Sequence, residues 1–156
     1  MTTGAGVVGL ISDTHGLLRE EALRALEGSD LIIHAGDAGD PAILDHLGVL
    51  APVVAVRGNI DKGAWASALP MTAVVEAGSV VMYVLHNIRE LDLDAAAGGF
   101  QIVISGHSHK PERTERSGVL YLNPGSAGPR RFKLPVTVAR LDLKRSPWQV
   151  DFIDIS

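Results

Sequence analysis

The chain has 156 residues, 46% hydrophobic and 21% charged, which is enough apolar material for one ordinary core and too much for intrinsic disorder. Its net charge of −4 supplies no global positive field to draw nucleic acid or an anionic membrane surface. There is no cysteine, so disulfide scaffolds, thiolate zinc sites and Cys nucleophiles are excluded, and the six histidines become the candidates for metal or acid–base chemistry.

The start, Met1 to Gly6, lacks the positive segment of a secretory signal. No apolar stretch reaches the ~18 residues that a membrane helix requires, so a cytoplasmic location is expected. Residues 7–11 form a β-branched apolar run and read as a fully buried strand. A helix is predicted over 17–26 from apolar pairs at helical spacing, with Gly28 as its stop. Residues 31–33 are the next buried strand, followed by a helix over 41–47 with Pro41 at its first position. Residues 52–56 make a third strand. This alternation predicts right-handed crossovers and a parallel sheet.

The second half changes rhythm. Residues 72–76 and 80–85 flank Ala77-Gly78-Ser79 and read as a hairpin. Residues 92–97 are a short helix at best. Buried strands are predicted at 102–104, 119–122, 136–143 and 149–153. Consecutive strands with few helices predict a second, more antiparallel sheet packed on the first, with helices outside. No linker, repeat or low-complexity tract divides the chain, so one domain over 1–156 is expected.

The informative residues stand directly after the apolar strands. The first strand leads into Ser12-Asp13-Thr14-His15-Gly16 and the second into His34-Ala35-Gly36-Asp37. The third leads into Arg57-Gly58-Asn59-Ile60-Asp61, and later strands end at His86-Asn87 and at Ser105-Gly106-His107-Ser108-His109. Open α/β sheets bind ligands beyond the carboxyl ends of their strands. Asp13, His15, Asp37, Asn59, His86, His107 and His109 are therefore expected at one edge. Imidazole and carboxylate without thiolate suit Mn, Fe, Co, Ni or Zn. Seven candidate ligands are too many for one ordinary centre and suit two ions sharing a carboxylate. Such a pair, about 3.5–4 Å apart, clamps the attacking and leaving oxygens of an in-line displacement at phosphorus.

Asp13-Thr14-His15, Gly36-Asp37, Gly58-Asn59, His86 and Gly106-His107-Ser108-His109 stand in the order found in calcineurin-like metallophosphoesterases. The chain resembles that superfamily from about Val7 to Arg131. With Asn123-Pro124-Gly125-Ser126, it looks most like the small bacterial and archaeal phosphodiesterases, which are related in fold to the retromer subunit. The resemblance implies an α/β fold, a four-layer αββα sandwich of two mixed sheets flanked by helices. It further implies that Asp13, His15, Asp37 and His109 hold one divalent ion, and that Asp37, Asn59, His86 and His107 hold a second. Manganese is the first choice of metal, with Fe, Ni, Co or Zn as alternatives. A metal-bridging hydroxide would attack phosphorus directly, and Asp37, Asn59 and His107 would act in catalysis through the metals. In two places the chain departs from the pattern. Ile60 stands where many larger members carry a proton-donating His, which favours substrates with good leaving groups. Asn87 stands where Gly is common.

Arg57, Asn59 and Arg130 are candidates to touch the substrate phosphate, as is Arg131. His34 reads as support beside the site and His46 as a solvated helix residue. Asp40 and Asp61 are candidates to orient ligand histidines, and Asp40 equally to cap the helix at Pro41. The leading function is a metal-dependent phosphodiesterase acting on a small phosphate ester. The alternatives are a non-catalytic protein-binding scaffold of the same fold, and a phosphomonoesterase or protein phosphatase. Exposed strand edges in the second half allow a homo-oligomer.

Overall fold

A computed structural model describes residues 2–3 and 6–156; Met1, Gly4 and Ala5, part of the segment read for a targeting signal, lie outside the described residues. The strands run in order β1 (Thr2–Thr3), β2 (Val7–Ile11), β3 (Leu31–His34), β4 (Val53–Ala55), β5 (Thr72–Ala77) and β6 (Val80–Leu85). They continue as β7 (Ile102–Ile104), β8 (Pro111–Arg116), β9 (Val119–Pro124), β10 (Thr137–Asp142) and β11 (Gln149–Asp154). Between them lie α1 (Glu20–Leu26), α2 (Pro41–Gly48), α3 (Ala64–Ser67) and one 3-10 turn at Ile88–Glu90.

Two mixed sheets face each other. One has the order β11-β10-β2-β3-β4, and the other β5-β6-β7-β9-β8 with the short β1 added parallel to β5 at its edge. Side chains alternate with the two-residue period of a strand. Val8, Leu10, Leu31 and Ile33 point from the first sheet into the shared core, where they meet Met82, Val84, Ile102, Ile104 and Leu122 of the second. The opposite faces of the same strands carry Ile11 and Ile32 toward α1 and α2, against Ala22, Leu26, Ile43 and Leu47. Tyr83, Leu85 and Val103 line the outer face of the second sheet. That face is covered by Ile88, Leu91, Leu93, Ala95 and Phe100, so the fourth layer here is a 3-10 turn and tight turns.

Several expectations shift. The predicted helix over 17–26 begins only at Glu20, because Arg19 has an extended backbone. No helix forms over 92–97; Asp94 instead accepts hydrogen bonds from the Ala97 and Gly98 N–H groups in a tight turn. The last two strands join the first sheet, where β10 pairs antiparallel with β2 through Ala139 and Leu10. The second sheet is correspondingly less antiparallel than expected, since β6, β7 and β9 run parallel. Strand β8 and helix α3 were not predicted. The β8 sequence Glu112-Arg113-Thr114-Glu115-Arg116 has no apolar alternation because it is an exposed edge, where charge blunts strand-to-strand association. Among the described residues, no helix is long and apolar enough to cross a membrane.

Asp40 settles as the cap of α2: its side chain accepts from the Ala42 N–H at 2.9 Å, and Pro41 takes the first helical position. Asp40→Ala is expected to lower the unfolding free energy by about 1 kcal/mol. Divalent-metal affinity, read by calorimetry beside a urea titration, should stay unchanged.

Candidate metal centre

The loops leaving β2, β3, β4, β6 and β7 meet at one end of the two sheets, and backbone hydrogen bonds tie them together. The Asp13, His15 and Gly16 N–H groups donate to the Gly36, Asp37 and Ala38 carbonyls at 3.0, 2.9 and 2.7 Å. The Gly106 N–H donates to the His86 carbonyl and the Ala127 N–H to the Ser12 carbonyl. Seven non-glycine residues among those described have positive φ, and five of them are Asp13, His15, Asp37, His107 and His109. A side chain held in that region costs on the order of 1 kcal/mol and persists only where its surroundings fix it. Five of the seven expected ligands are held this way.

Asp13 is fully buried. Its Oδ2 accepts from the Ser12 hydroxyl at 2.7 Å and from the His107 N–H at 3.0 Å, while Oδ1 has no hydrogen-bond partner. Oδ1 instead faces imidazole nitrogens: His109 Nε2 at 3.4 Å, and His15 and His86 Nε2 at 3.8 Å each. Asp37 repeats the arrangement. Its Oδ1 accepts from the Ile60 N–H at 3.0 Å, and its Oδ2 lies 3.2 Å from His86 Nε2 and 3.6 Å from His15 Nε2. Burial pushes both carboxyl pKa values up, but His109 and His15 with Ser12 around Asp13, and His86 with the Ile60 N–H at Asp37, outweigh it. Both groups end below the usual carboxylate range, with Asp13 far below it.

His86 shows why this cluster suits a cation. Its Nδ1–H donates to the Ala35 carbonyl at 2.7 Å, so Nε2 of the neutral ring carries the lone pair. That lone pair faces Asp37 Oδ2 and, at 3.0 Å, Asn59 Oδ1. Three acceptors converge, and a proton or a metal ion completes the set. Burial lowers the His86 pKa, yet Asp37 and the Ala35 carbonyl prevail and the value is raised. Asp13, His15 and His109 form one group of donor atoms within 4.8 Å of one another, and Asp13, Asp37 and His86 form another. The His15 Nε2 also lacks a hydrogen-bond partner. Buried, unpartnered imidazole and carboxylate donors fit divalent ions.

Asn59 and His107 are more exposed. The His107 ring stands edge-on to His86 with centroids 5.2 Å apart, and the His15 and His109 rings are 5.3 Å apart. Arg57 lines the adjoining cleft with its Nε on the Met71 sulfur. Arg130 is not brought to the centre: its Nε donates to the Leu134 carbonyl and its charge acts on Asp154. Arg131 and His46 are exposed.

The supports depart from expectation. Among the described residues Asp61 makes no hydrogen bond to a histidine; its carboxylate accepts from the backbone N–H groups of Asp37, Gly39 and Gly58 at 3.0, 2.9 and 2.9 Å, which shapes the loops that carry Asp37 and Asn59. Asn123 ties the Gly106 carbonyl and the Ser108 hydroxyl, and the Ser126 hydroxyl donates to the Asp13 carbonyl. His34 is fully buried: Nδ1 accepts from the Gly36 N–H and Nε2–H donates to Thr14 Oγ1, whose own proton goes to the Ala38 carbonyl. The glycines of the Gly58-Asn59 and Gly106-His107 motifs allow close approach of the loops. A Cβ on Gly58 would lie 2.0 Å from Asp37 Oδ1, and one on Gly106 would lie 2.0 Å from Ser12 Oγ.

A family model described as the calcineurin-like phosphoesterase superfamily domain matches residues 7–146. A protein of Methanothermobacter thermautotrophicus described as a probable metallophosphoesterase is 34% identical over 87% of this chain and 86% of its own length. An archaeal phosphodiesterase structure superposes with a TM-score of 0.79 at 23% identity, covering 94% of this chain and 99% of that one. Vps29 of Chaetomium thermophilum superposes at 0.77 with 21% identity, covering 96% and 97% of the two chains, and at these identities both likenesses show the fold.

Asp61→Asn leaves a single acceptor oxygen for three N–H groups. It should cost about 1–3 kcal/mol of stability and weaken divalent-metal binding about 10–100-fold, measured by urea titration and calorimetry. The His34 pKa is lowered by burial to about 4 from an ordinary 6.5. Below pH 6.5 the unfolded chain therefore takes up a proton that the folded one refuses. Metal-free protein should lose stability as pH falls from 6.5 toward 4, with up to about 1.4 kcal/mol per pH unit from this residue. Denaturant midpoints of His34→Gln should show a shallower decline over the same range.

Proposed function

The chain belongs to the calcineurin-like phosphoesterase superfamily, and from that premise we propose that it hydrolyses a small phosphodiester with two divalent ions, manganese foremost. The observation that carries this reading is the convergence of carboxylate and imidazole donor atoms of Asp13, His15, Asp37, His86 and His109 from four strand ends, with Asp13 Oδ1 and His15 Nε2 unpartnered and all but His86 held at positive φ. Asp13, His15, Asp37 and His109 would hold one ion, and Asp37, Asn59, His86 and His107 the other. The position of Asp37 Oδ2, 3.6 Å from His15 Nε2 and 3.2 Å from His86 Nε2, supports a shared carboxylate. When bound, such ions acidify water and place positive charge against a phosphate.

The chain's own residues prepare the rest. Asp61 fixes the loop that carries Asp37, so the shared oxygen does not swing away. The Ala35 carbonyl holds His86 in the tautomer that presents Nε2. Ile60 contributes its N–H to Asp37 Oδ1 and has no side-chain proton to give, so departing groups that are stable as anions are favoured. Arg57, which lines the cleft beside Gly58, would meet a phosphate oxygen there on leaving the Met71 sulfur. The donor set favours hydrolysis over the alternative, a non-catalytic protein-binding scaffold of the same fold.

The test is a panel of aryl phosphodiesters and monoesters assayed with manganese before and after chelation. Diester turnover should exceed monoester turnover and disappear with the metal. Asp37→Ala and His107→Ala should each cost about a hundredfold or more in kcat/KM with circular dichroism unchanged. An active Asp37→Ala protein refutes the shared carboxylate. A metal-loaded protein that turns over no ester favours the scaffold.

A further inference from the structure

Two cavities flank the candidate centre. One, of about 390 Å³, is lined by Arg57, Met71, Tyr83, Leu85, Glu90 and Asp92. The other, of about 770 Å³, is lined by Arg89, Glu112, Glu115, Arg116 and Tyr121, with the Arg116 guanidinium 4.4 Å above the Tyr121 ring. Only Asn87 and His107 line both. These two residues therefore form the saddle between the cavities, and Asn87 comes directly after His86.

The orientation of Asn87 is fixed by its neighbour. The Arg89 N–H donates to its side chain at 3.1 Å, so the atom there is the carbonyl oxygen and caps the 3-10 turn. The Nδ2 hydrogens make no hydrogen bond to the protein among the described residues. A half-buried amide is thus held with its acceptor end tied and its donor end free, on a saddle whose other residue is an expected metal ligand.

We infer that Asn87 is a substrate-binding residue, whose Nδ2 donates to a non-bridging oxygen of a phosphodiester lying across the saddle, with one ester substituent in each cavity. This inference rests on the phosphodiesterase reading and names the shape of its substrate. In the smaller cavity Arg57 is assigned to the phosphate itself, and Glu90 and Asp92 oppose a second anion, so the substituent there is an uncharged, ring-sized group against Tyr83 and Leu85. The larger, with both signs of charge, takes a polar substituent. A monoester fills one cavity and leaves the other to water, so the saddle favours diesters through binding.

Asn87→Asp keeps the acceptor for the Arg89 N–H, removes the free donors and sets a negative charge toward the phosphate; Asn87→Ala removes the donors together with the acceptor that caps the 3-10 turn. Manganese-loaded protein is assayed on bis(p-nitrophenyl) phosphate and on methyl p-nitrophenyl phosphate, and calorimetry reads the binding of manganese and of inorganic phosphate. Asn87→Asp should raise KM for the bis-aryl ester about tenfold or more, and Asn87→Ala several-fold, with kcat within about threefold. Phosphate binding should weaken in parallel and manganese affinity should hold. The wild type should process the methyl ester about tenfold less efficiently than the bis-aryl ester, the cost of an empty cavity. Unchanged KM and phosphate affinity in both variants overturns the inference, as does lost manganese affinity, which would place Asn87 with the metals. Equal efficiency on the two esters overturns the two-cavity arrangement. If the wild type hydrolyses neither ester, the phosphodiesterase reading fails, while the phosphate calorimetry still reports on Asn87.

Discussion

The two oxygens of the fully buried Asp13 carboxylate meet different surroundings. Oδ2 has its hydrogen bonds from Ser12 and from the His107 backbone, whereas Oδ1 has none and looks into a ring of imidazole nitrogens. Leaving a charged acceptor half-satisfied in a core is costly unless a cation completes it. Asp37 and His86 are built the same way, each with one atom tied to a backbone group and the other aimed at the shared space. The surrounding architecture serves to hold these atoms near one another against their mutual repulsion and against the strain of their backbones.

Two features of the fold supply that force. Parallel strands from both sheets end at the same level, so the loops carrying Asp13, Asp37 and Asn59 from one sheet face those carrying His86, His107 and His109 from the other. Glycine then lets the loops approach more closely than any side chain would allow, as Gly58 does beside Asp37 and Gly106 beside Ser12. The apolar layer between the sheets, from Leu10 and Ile33 across to Met82 and Ile104, holds the two halves of the site in register.

Much of this was legible in the sequence. Buried strands are short apolar runs, and the polar residues that interrupt them at their carboxyl ends have no structural reason to be His and Asp. The early βαβ alternation, the hairpin at Gly78-Ser79 and the clustering of Asp13, His15, Asp37, His86 and His109 follow from that pattern. What could not be read depends on contacts between distant segments. Nothing local announces that β10 and β11 return to the first sheet, because a strand's partner is chosen by packing. Strand β8 is patterned by its exposure at an edge and carries charge at four of its six positions. Asp61 is expected from the sequence to orient a histidine, yet only the folded loops reveal three backbone N–H groups around it. Ser117-Gly118, both at positive φ in the turn between β8 and β9, was the one available hint of that hairpin.

The backbone bonds that stitch the ligand loops to one another have a kinetic corollary. The amides of Asp13, His15 and Gly16 are secured by the neighbouring strand's loop, that of Gly106 by His86, and that of Ala127 by Ser12. No single loop can peel back without breaking bonds that belong to another. These amides should therefore exchange with deuterated solvent as one cooperative block, slowly and at a common rate, although they lie in stretches without regular secondary structure.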